Sequence, residues 1–406
     1  MVRKLAVIFV ILASLSFFNL KFLGNAVVDI GQILGLGIII GLILIHLAYD
    51  QRKKLVSGFN IEISLVLLSV ILSMFGAYMF HNQSFGTTAL FQRATYFFLF
   101  FYFLYFIRIH PDDILKLMFW FSIVYAFLYL LQFILYPTII IDCRIVAERG
   151  TVRIFMPGSG YAFFIYFFAL ASYFKTKNFK YILLCILMLG IFVLSGTRQL
   201  LGSVVFITFL FLIFTKQIKS KATIILLISA SLIPLYFVFQ EVFVSLFQVS
   251  LDQSVDSQND VRVRAAKFFI IDFFPNPFSY IIGNGAYSPA SDYGRQIVFY
   301  QDNFGYYLAD IGMIGEYSMY GLLFVLAELT ILLKVIFMKL PEPIKFIRYL
   351  FIAQLMLSFT GGGGFSLSQN VVAICLWLYL IDAYKAIETT NISKTDAKIS
   401  NTYSSI

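Results

Sequence analysis

Charged residues are scarce in this sequence. Asp, Glu, Lys and Arg make up 13% of its 406 residues, whereas soluble domains contain about 25%. Hydrophobic residues make up 60%, including 48 Phe and 25 Tyr, and so few charges cannot cover a soluble fold of that composition. The composition therefore excludes a soluble enzyme and a disordered or fibrous chain, and it indicates a protein with many membrane spans.

Cysteine and histidine are also rare. The three cysteines are widely spaced, a pattern that suggests neither a disulfide framework nor a zinc site. The three histidines fall at the ends of predicted spans, away from the long loops, so we expect no histidine acid–base catalyst in those loops. We predict neither a bound metal nor a cofactor, and we interpret the net charge of +9 as membrane anchoring rather than nucleic-acid binding.

Long apolar segments, by contrast, occupy most of the chain. A spanning helix needs about 20 apolar residues, and the segments are far longer than the alternating strands of an outer-membrane barrel. The sequence predicts an all-α, polytopic membrane protein with twelve transmembrane helices in one domain, residues 1–406. The predicted spans are 5–23, 31–49, 61–80, 87–107, 114–136, 158–174, 181–195, 199–215, 222–240, 306–336, 347–360 and 367–384. The first begins like a signal peptide, and we interpret it as an uncleaved span.

Positive charges predict the orientation. With twelve spans both termini lie on one side, and the segments on that side hold 20 of the 30 Lys and Arg residues. Because Lys and Arg favour the cytoplasmic side, we predict cytoplasmic termini, with a tail at 385–406. The other side holds the remaining 10, of which eight are Arg. Since the planar guanidinium group binds phosphate through two hydrogen bonds, this bias favours an anionic ligand outside.

Two predicted outer segments are long enough to form a site: a first loop, 137–157, and a large loop, 241–305, between the ninth and tenth spans. Within the large loop, the pattern predicts a helix over Val261–Phe274. Either Asn259 or Asp260 caps this helix, and Pro275 ends it.

Five outer arginines are candidates for binding an anion. Arg198 lies in the short turn between the seventh and eighth spans; it either anchors a helix end at the membrane surface or binds a ligand. Arg262 and Arg264 begin the loop helix, where they either meet an anion at the helix N-terminus or form a solvated first turn. Arg149 and Arg153 lie in the first loop, where a surface role and a ligand role both remain open.

Carboxylates supply the candidate bases. Asp302 and Asp310 lie at the predicted outer membrane edge, where either is able to accept a proton from a substrate hydroxyl. Asp302 is alternatively a helix cap. Glu316 is a further outer carboxylate. Glu328 lies within the tenth span, where an ionisable residue is a functional candidate, although its position towards the inner end also allows its side chain to reach the interface.

The span number, the large outer loop and the outer arginines together resemble the O-antigen polymerase and O-antigen ligase superfamily, most closely the Wzy-type polysaccharide polymerases. The matching stretches are Arg149–Gly160, Leu194–Gly202, Arg262–Gly285 and Asp302–Gly315.

Individual residues match motifs of that superfamily. Arg198 matches the Arg of its Ser-Gly-x-Arg turn, and Arg262 or Arg264 matches the Arg ahead of its Gly-x-Gly turn. Arg149 and Gly160 match the Arg-x10-Gly pattern of the polymerases in the first loop, and that pattern does not recur in the large loop. The large loop therefore departs from the family pattern, and the pattern does not decide between Arg262 and Arg264.

The resemblance implies a reaction. A glycan linked to a polyprenyl diphosphate is transferred to another such glycan, at the outer face of the bacterial cytoplasmic membrane. Ligases place a His where this chain has Asp302, and this difference favours a polymerase. The predicted catalytic residues are Asp302, Arg198 and Arg264, and the predicted substrate-binding residues are Arg262, Arg149, Arg153 and Asp310.

The implied partners are the lipid-linked oligosaccharide donor and acceptor, membrane lipid and a chain-length regulator protein. The product would be O-antigen, capsular polysaccharide or exopolysaccharide. Two other classes remain open. A ligase would use the same donor with a lipid-core acceptor. A transporter or flippase would place its charges near the middle of the membrane and contain repeats, whereas here the arginines cluster on one predicted face.

Overall fold

The computed structural model describes residues 2–49, 57–148, 151–215, 240, 244, 260–361 and 364–403. This part of the chain is mostly helical. Its helices before the longest gap are α1 (Val2–Ser14), α2 (Gly24–Tyr49), α3 (Asn60–His81), α4 (Phe85–Phe91), α5 (Leu99–Ile107), α6 (Pro111–Leu135), α7 (Ser159–Thr176), α8 (Lys180–Leu194) and α9 (Arg198–Phe214). Those after it are α10 (Val261–Lys267), α11 (Ser279–Ile282), α12 (Asp292–Phe304), α13 (Met313–Tyr320), α14 (Leu322–Phe337), α15 (Ile347–Thr360) and α16 (Ser368–Tyr403).

Four helices in the described ranges are long and apolar enough to cross a membrane: Ala26–Ala48, Asn60–His81, Pro111–Leu135 and Ser368–Thr390. A fifth span results if α4 and the helical segment Thr95–Ile107, which are bent by 65°, count as one. In lipid a helix satisfies its backbone hydrogen bonds internally, so long apolar runs fold this way. The predicted class, an α-helical membrane protein, is confirmed, while the count of twelve spans stays a prediction. The ninth predicted span, 222–240, lies almost wholly outside the described residues.

The first predicted span, 5–23, is wrong as a single helix. Its α-helix ends at Ser14, and residues 16–19 take positive backbone φ angles between 51° and 58°. Left-handed backbone cannot continue a right-handed helix, so the chain turns early. At the other terminus, the segment predicted as a tail from residue 385 continues α16 as far as Tyr403.

The tenth predicted span, 306–336, is also divided. It forms a 3₁₀ turn, Leu308–Ile311, followed by α13 and α14. The two helices are separated at Gly321, which has a φ of 80°, and a Cβ there would lie 2.2 Å from the carbonyl oxygen of Ile281. Only glycine fits this close approach, so the apolar run, which is too long for one span, breaks there.

The first loop contains a β-hairpin, which the all-α prediction missed. Strands β1 (Ile145–Glu148) and β2 (Thr151–Ile154) pair antiparallel, with Ile145 opposite Ile154 and Glu148 opposite Thr151. Both strands are rich in β-branched residues, which favour this backbone. The predicted position of Arg149, between the strands, lies outside the described residues.

Several of the turns that we predict to be cytoplasmic meet at one end of the helical bundle, the lysine end. Lys4 Nζ lies 2.8 Å from Asp113 Oδ1, and Lys334 Nζ lies 2.5 Å from Glu62 Oε1. The hairpin and the large loop lie at the opposite end, the loop end, where the Lys21 amide donates to the Ile140 carbonyl at 2.9 Å. The described turns near residues 58, 110 and 338 thus share the lysine end with the N-terminus, while the order of twelve spans stays a prediction.

This grouping yields a topology prediction. Reporter fusions after residues 112, 178 and 343 should report cytoplasm, and fusions near residues 145 and 255 should report the outer side, because lysines concentrate at the first set. Activity of paired phosphatase and fluorescent reporters measures this. A cytoplasmic signal at residue 255 would remove the large loop from the outer face and end the functional proposal made below.

The described part of the large loop folds as a small unit on the bundle. As predicted, a helix starts at Val261: the Asp260 carboxylate caps it by accepting from the Arg262 amide at 2.7 Å. The helix continues as a π-helical turn, Phe268–Asp272, and ends ahead of Pro275. Its apolar face packs against α12 and the 3₁₀ turn. The buried residues of this small core are Ala265, Phe269, Phe273, Tyr293, Ile297, Leu308 and Ile311.

Candidate functional site

The first loop is held against the turn between α8 and α9 by Arg153. Arg153 is buried on β2, and its Nε donates to the Ser195 carbonyl at 3.2 Å, while its Nη1 forms an ion pair with Glu148. Its guanidinium also lies over the Phe155 ring, 4.8 Å from the centroid. Gly196 has a φ of 58°, which favours glycine, and a Cβ there would lie 3.0 Å from the Arg153 side chain, which would have to shift. Arg153 is therefore a positioning residue as well as a positive charge.

Arg198 begins α9 directly after that turn and lies among other charges. Burial, and next the positive charge of Arg262, lower the pKa of the Arg198 guanidinium; Asp260 acts in the opposite direction, and Arg153 adds to the lowering. These electrostatic interactions join three segments that are far apart in the sequence: the hairpin, the α8–α9 turn and the start of α10. Arg153, Arg198 and Arg262 form what we call the arginine cluster.

An arginine cluster of this kind attracts an anion. Three cations outnumber the carboxylates of Glu148 and Asp260 beside them, and the N-terminus of α10 adds a positive dipole end. Arg262 and Arg264 are both exposed on α10. Arg264 follows Arg262 by two residues, so it points to a different side of the helix. Of the five arginines predicted from the sequence, Arg153 and Arg262 both act electrostatically on Arg198. Arg264 lies on the same helix as Arg262.

Asp302 does not cap a helix, and that alternative is wrong. Helix α12 begins ten residues earlier, where Ser291 Oγ accepts from the Gly294 amide at 3.0 Å. It ends after Phe304, at Gly305 in the left-handed conformation. Asp302 is therefore an exposed residue of the last turn.

The end of α12 lies against the start of α10. A Cβ on Gly305 would lie 3.2 Å from Cγ1 of Val261, the neighbour of Arg262. Gly305, three residues beyond Asp302, thus packs against the residue that precedes Arg262, and within the described ranges Asp302 forms no ion pair that would neutralise it. Asp310 lies further along, exposed on the 3₁₀ turn, where its carbonyl approaches Gly361.

His81 contradicts our expectation that no histidine reaches the long loops. It ends α3 at the loop end, where its Nε2 lies 3.0 Å from Asn284 Oδ1. Its ring stacks on Tyr293 with 4.0 Å between centroids. The large loop folds back over α3, a contact between residues 203 positions apart that no local pattern in the sequence indicates. The hydrogen bond to Asn284 and the stacking on Tyr293 both hold the loop in place, so we assign His81 a positioning role.

An apolar groove of about 350 Å³ opens between the loop unit and helices α13 to α15. Its walls are Ile270, Ile311, Met313, Ile314, Tyr317, Val325, Ser358 and Phe359. Such a surface is suited to a hydrocarbon chain, since only Tyr317 and Ser358 carry polar side-chain atoms.

Comparisons with protein-family models, with curated proteins and with solved structures find no match to this chain. The fold and the site define its class: an α-helical membrane protein with an arginine cluster, exposed carboxylates and an apolar groove at the loop end of the bundle.

Proposed function

We propose that this protein is a membrane glycosyltransferase, a polymerase of the Wzy type, with twelve spans and both termini in the cytoplasm. It joins polyprenyl-diphosphate-linked oligosaccharide repeat units at the outer face of the bacterial cytoplasmic membrane. The observation that carries the proposal is the arginine cluster. Three segments distant in sequence bring guanidinium groups together at the end of the bundle that holds both long loops.

The arginine cluster fits a diphosphate leaving group. A glycosidic bond to diphosphate breaks more readily when the developing negative charge is neutralised by preorganised cations. Arginine suits this role because its planar fork pairs two oxygens at once, and its charge persists even where burial and a neighbouring cation lower its pKa. Arg198 and Arg262 would contact the diphosphate, and Arg153 would fix the turn that carries Arg198.

The remaining features accommodate the other parts of the substrates. Asp302, exposed beside the start of α10, would accept the proton from the acceptor hydroxyl. The apolar groove would receive part of the polyprenyl chain, which gains free energy by leaving water. The location of the arginine cluster at the loop end supports a transferase over a transporter, which needs its substrate site near the middle of the membrane.

Deleting the gene is the experiment that tests this function. Single repeat units should then persist on the lipid carrier at the outer face, because export continues while joining stops. Extraction of the lipid-linked glycans and gel electrophoresis measure this, with the plasmid-borne gene restoring long chains as the control. Full-length polymer stranded on the carrier would instead identify a ligase. Absence of repeat units outside would identify a flippase.

A further inference from the structure

Two carboxyl groups that the proposed function does not use are buried side by side. Glu316 on α13 is 1% exposed, and Glu328 on α14 is 0% exposed. Their carboxyl groups are close enough to interact directly with each other. Since the side chain of Glu328 is bonded in the protein interior, our alternative that it reaches the membrane interface is wrong, and Glu316 is no longer an outer carboxylate.

Each carboxyl group accepts a hydrogen bond on its Oε1 atom. Ser358 Oγ, on α15, donates to Glu328 Oε1 at 2.9 Å. The Phe365 amide, in the segment that leads to α16, donates to Glu316 Oε1 at 2.8 Å, and the neighbouring Ser366 also interacts with the Glu316 carboxyl group. The Oε2 atom of each group is buried and has no hydrogen-bond donor. Two acceptor oxygens cannot bond to each other without a hydrogen between them.

No cation neutralises the pair in the part of the chain that the structure describes. The only Lys or Arg on α14 and α15 are Lys334 and Arg348. Both are engaged at the lysine end, with Glu62 and with the Met338 carbonyl. His81 on α3 is bonded to Asn284.

The other titratable groups facing the pair are phenols. Tyr320 on α13 interacts with Glu316, and Tyr96 interacts with Tyr320. Asp310, on the neighbouring 3₁₀ turn, is exposed. Two buried carboxylates at hydrogen-bonding distance cannot both be ionised in such surroundings, because their repulsion and their desolvation both oppose it.

We infer that Glu316 and Glu328 form a proton-binding site in which one proton is shared between the two carboxyl groups. The direct interaction of the carboxyl groups fits a proton better than a metal cation, which would lie between them and take several oxygens as ligands. Through Ser358 and Phe365 the site joins α13, α14, α15 and the segment before α16. Loss of the proton would set two negative charges against each other where these four segments meet.

The apolar groove lies next to this site, separated from Glu328 by Ser358. Ser358, which lines the groove, is the same residue whose hydroxyl donates to Glu328. An apolar reagent in the membrane can therefore approach the pair from the groove. Dicyclohexylcarbodiimide is such a reagent, and it adds the O–H of a protonated carboxyl group across one of its C=N bonds.

Labelling of the full-length protein in lipid nanodiscs tests the inference. At about pH 8, well above the usual carboxyl pKa of about 4.3, mass spectrometry should find Glu316 or Glu328 modified and the exposed Glu342 unmodified. In Glu328→Gln the side-chain amide donates a hydrogen bond to Glu316 in place of the shared proton. Glu316 is then ionised at this pH and does not react, so its labelling should fall at least tenfold. Unchanged labelling of Glu316 in that variant would overturn the shared proton. Protection by sodium chloride but not by choline chloride would assign a cation site instead.

Thermal unfolding across pH is the second measurement, and it does not depend on access of the reagent. The folded pair keeps a proton that the unfolded chain releases, so stability should fall as pH rises, by a factor of about ten in the unfolding equilibrium constant per pH unit. Glu316→Gln/Glu328→Gln should lose this slope between about pH 6 and about pH 9, whereas Glu342→Gln should retain it. Parallel curves for the double variant and the wild type would refute the proton site. Neither readout involves glycan transfer, so this inference and the proposed function fail independently.

Discussion

Arg198→Ala should remove long polymer from cells while leaving the protein in the membrane at its normal level. Arg198 interacts electrostatically with both Arg262 and Arg153, and the diphosphate charge would be neutralised by this cluster. Loss of one preorganised donor to a developing charge typically slows a reaction about 100- to 1,000-fold. The rate of chain growth with purified protein and lipid-linked repeat units measures the effect. Arg198→Lys should recover only part of it, because the second hydrogen bond to phosphate is lost.

A matched control is available on the large loop, which also carries Arg262. Arg295 is exposed, and its ion pair is with Asp292 of its own helix, so Arg295→Ala should leave chain growth unchanged. Arg262→Ala should behave like Arg198→Ala. Normal polymer from both Arg198→Ala and Arg262→Ala would remove the diphosphate from the arginine cluster.

Arg153→Ala is expected to differ from these variants. The Arg153 side chain bonds to Ser195 and Glu148, so its removal should also lower the yield of folded protein. Because the Glu148 side chain is 40% exposed, the loss should come mainly from the hydrogen bond to the Ser195 carbonyl, and such a bond from a charged group contributes about 1.5–3 kcal/mol. A drop in yield together with activity separates this positioning residue from Arg198.

Asp302→Asn should reduce chain growth by about 100- to 10,000-fold, the usual contribution of a general base. The amide has the same shape and cannot take up a proton. Stability does not explain such a loss, because Asp302 is exposed in the last turn of α12. A negative charge there opposes the helix dipole, so Asn should stabilise the helix slightly. Gel analysis of chain length and a melting curve of the same preparation give both quantities.

Asp292→Asn is the control for that substitution. Asp292 lies in the first turn of the same helix and is exposed, so chain growth should persist while the helix loses a favourable charge. Full-length polymer from Asp302→Asn would contradict a base at this position. Asp310 would then be the outer carboxylate to examine, since Glu316 is buried in its pair with Glu328.

The amino-acid sequence by itself determined the class of this protein. Burial in lipid depends on the composition of each segment, and long apolar runs have no alternative to a helix there. Local chemistry also predicted the start of α10, because the capping carboxylate of Asp260 and the helix it caps are adjacent in the chain. The proline that stops it is equally local.

The tertiary structure decided which residues share a site. Arg153, Arg198 and Arg262 are brought together by the packing of the hairpin and the large loop, and His81 meets Asn284 across 203 residues. Asp302 is not a helix cap, because Ser291 caps α12 and Asp302 lies in its last turn. Glu316 and Glu328 lie on two separate helices because the apolar run breaks at Gly321. Such contacts depend on shape and close approach between distant segments, which hydrophobicity and spacing along the chain do not encode.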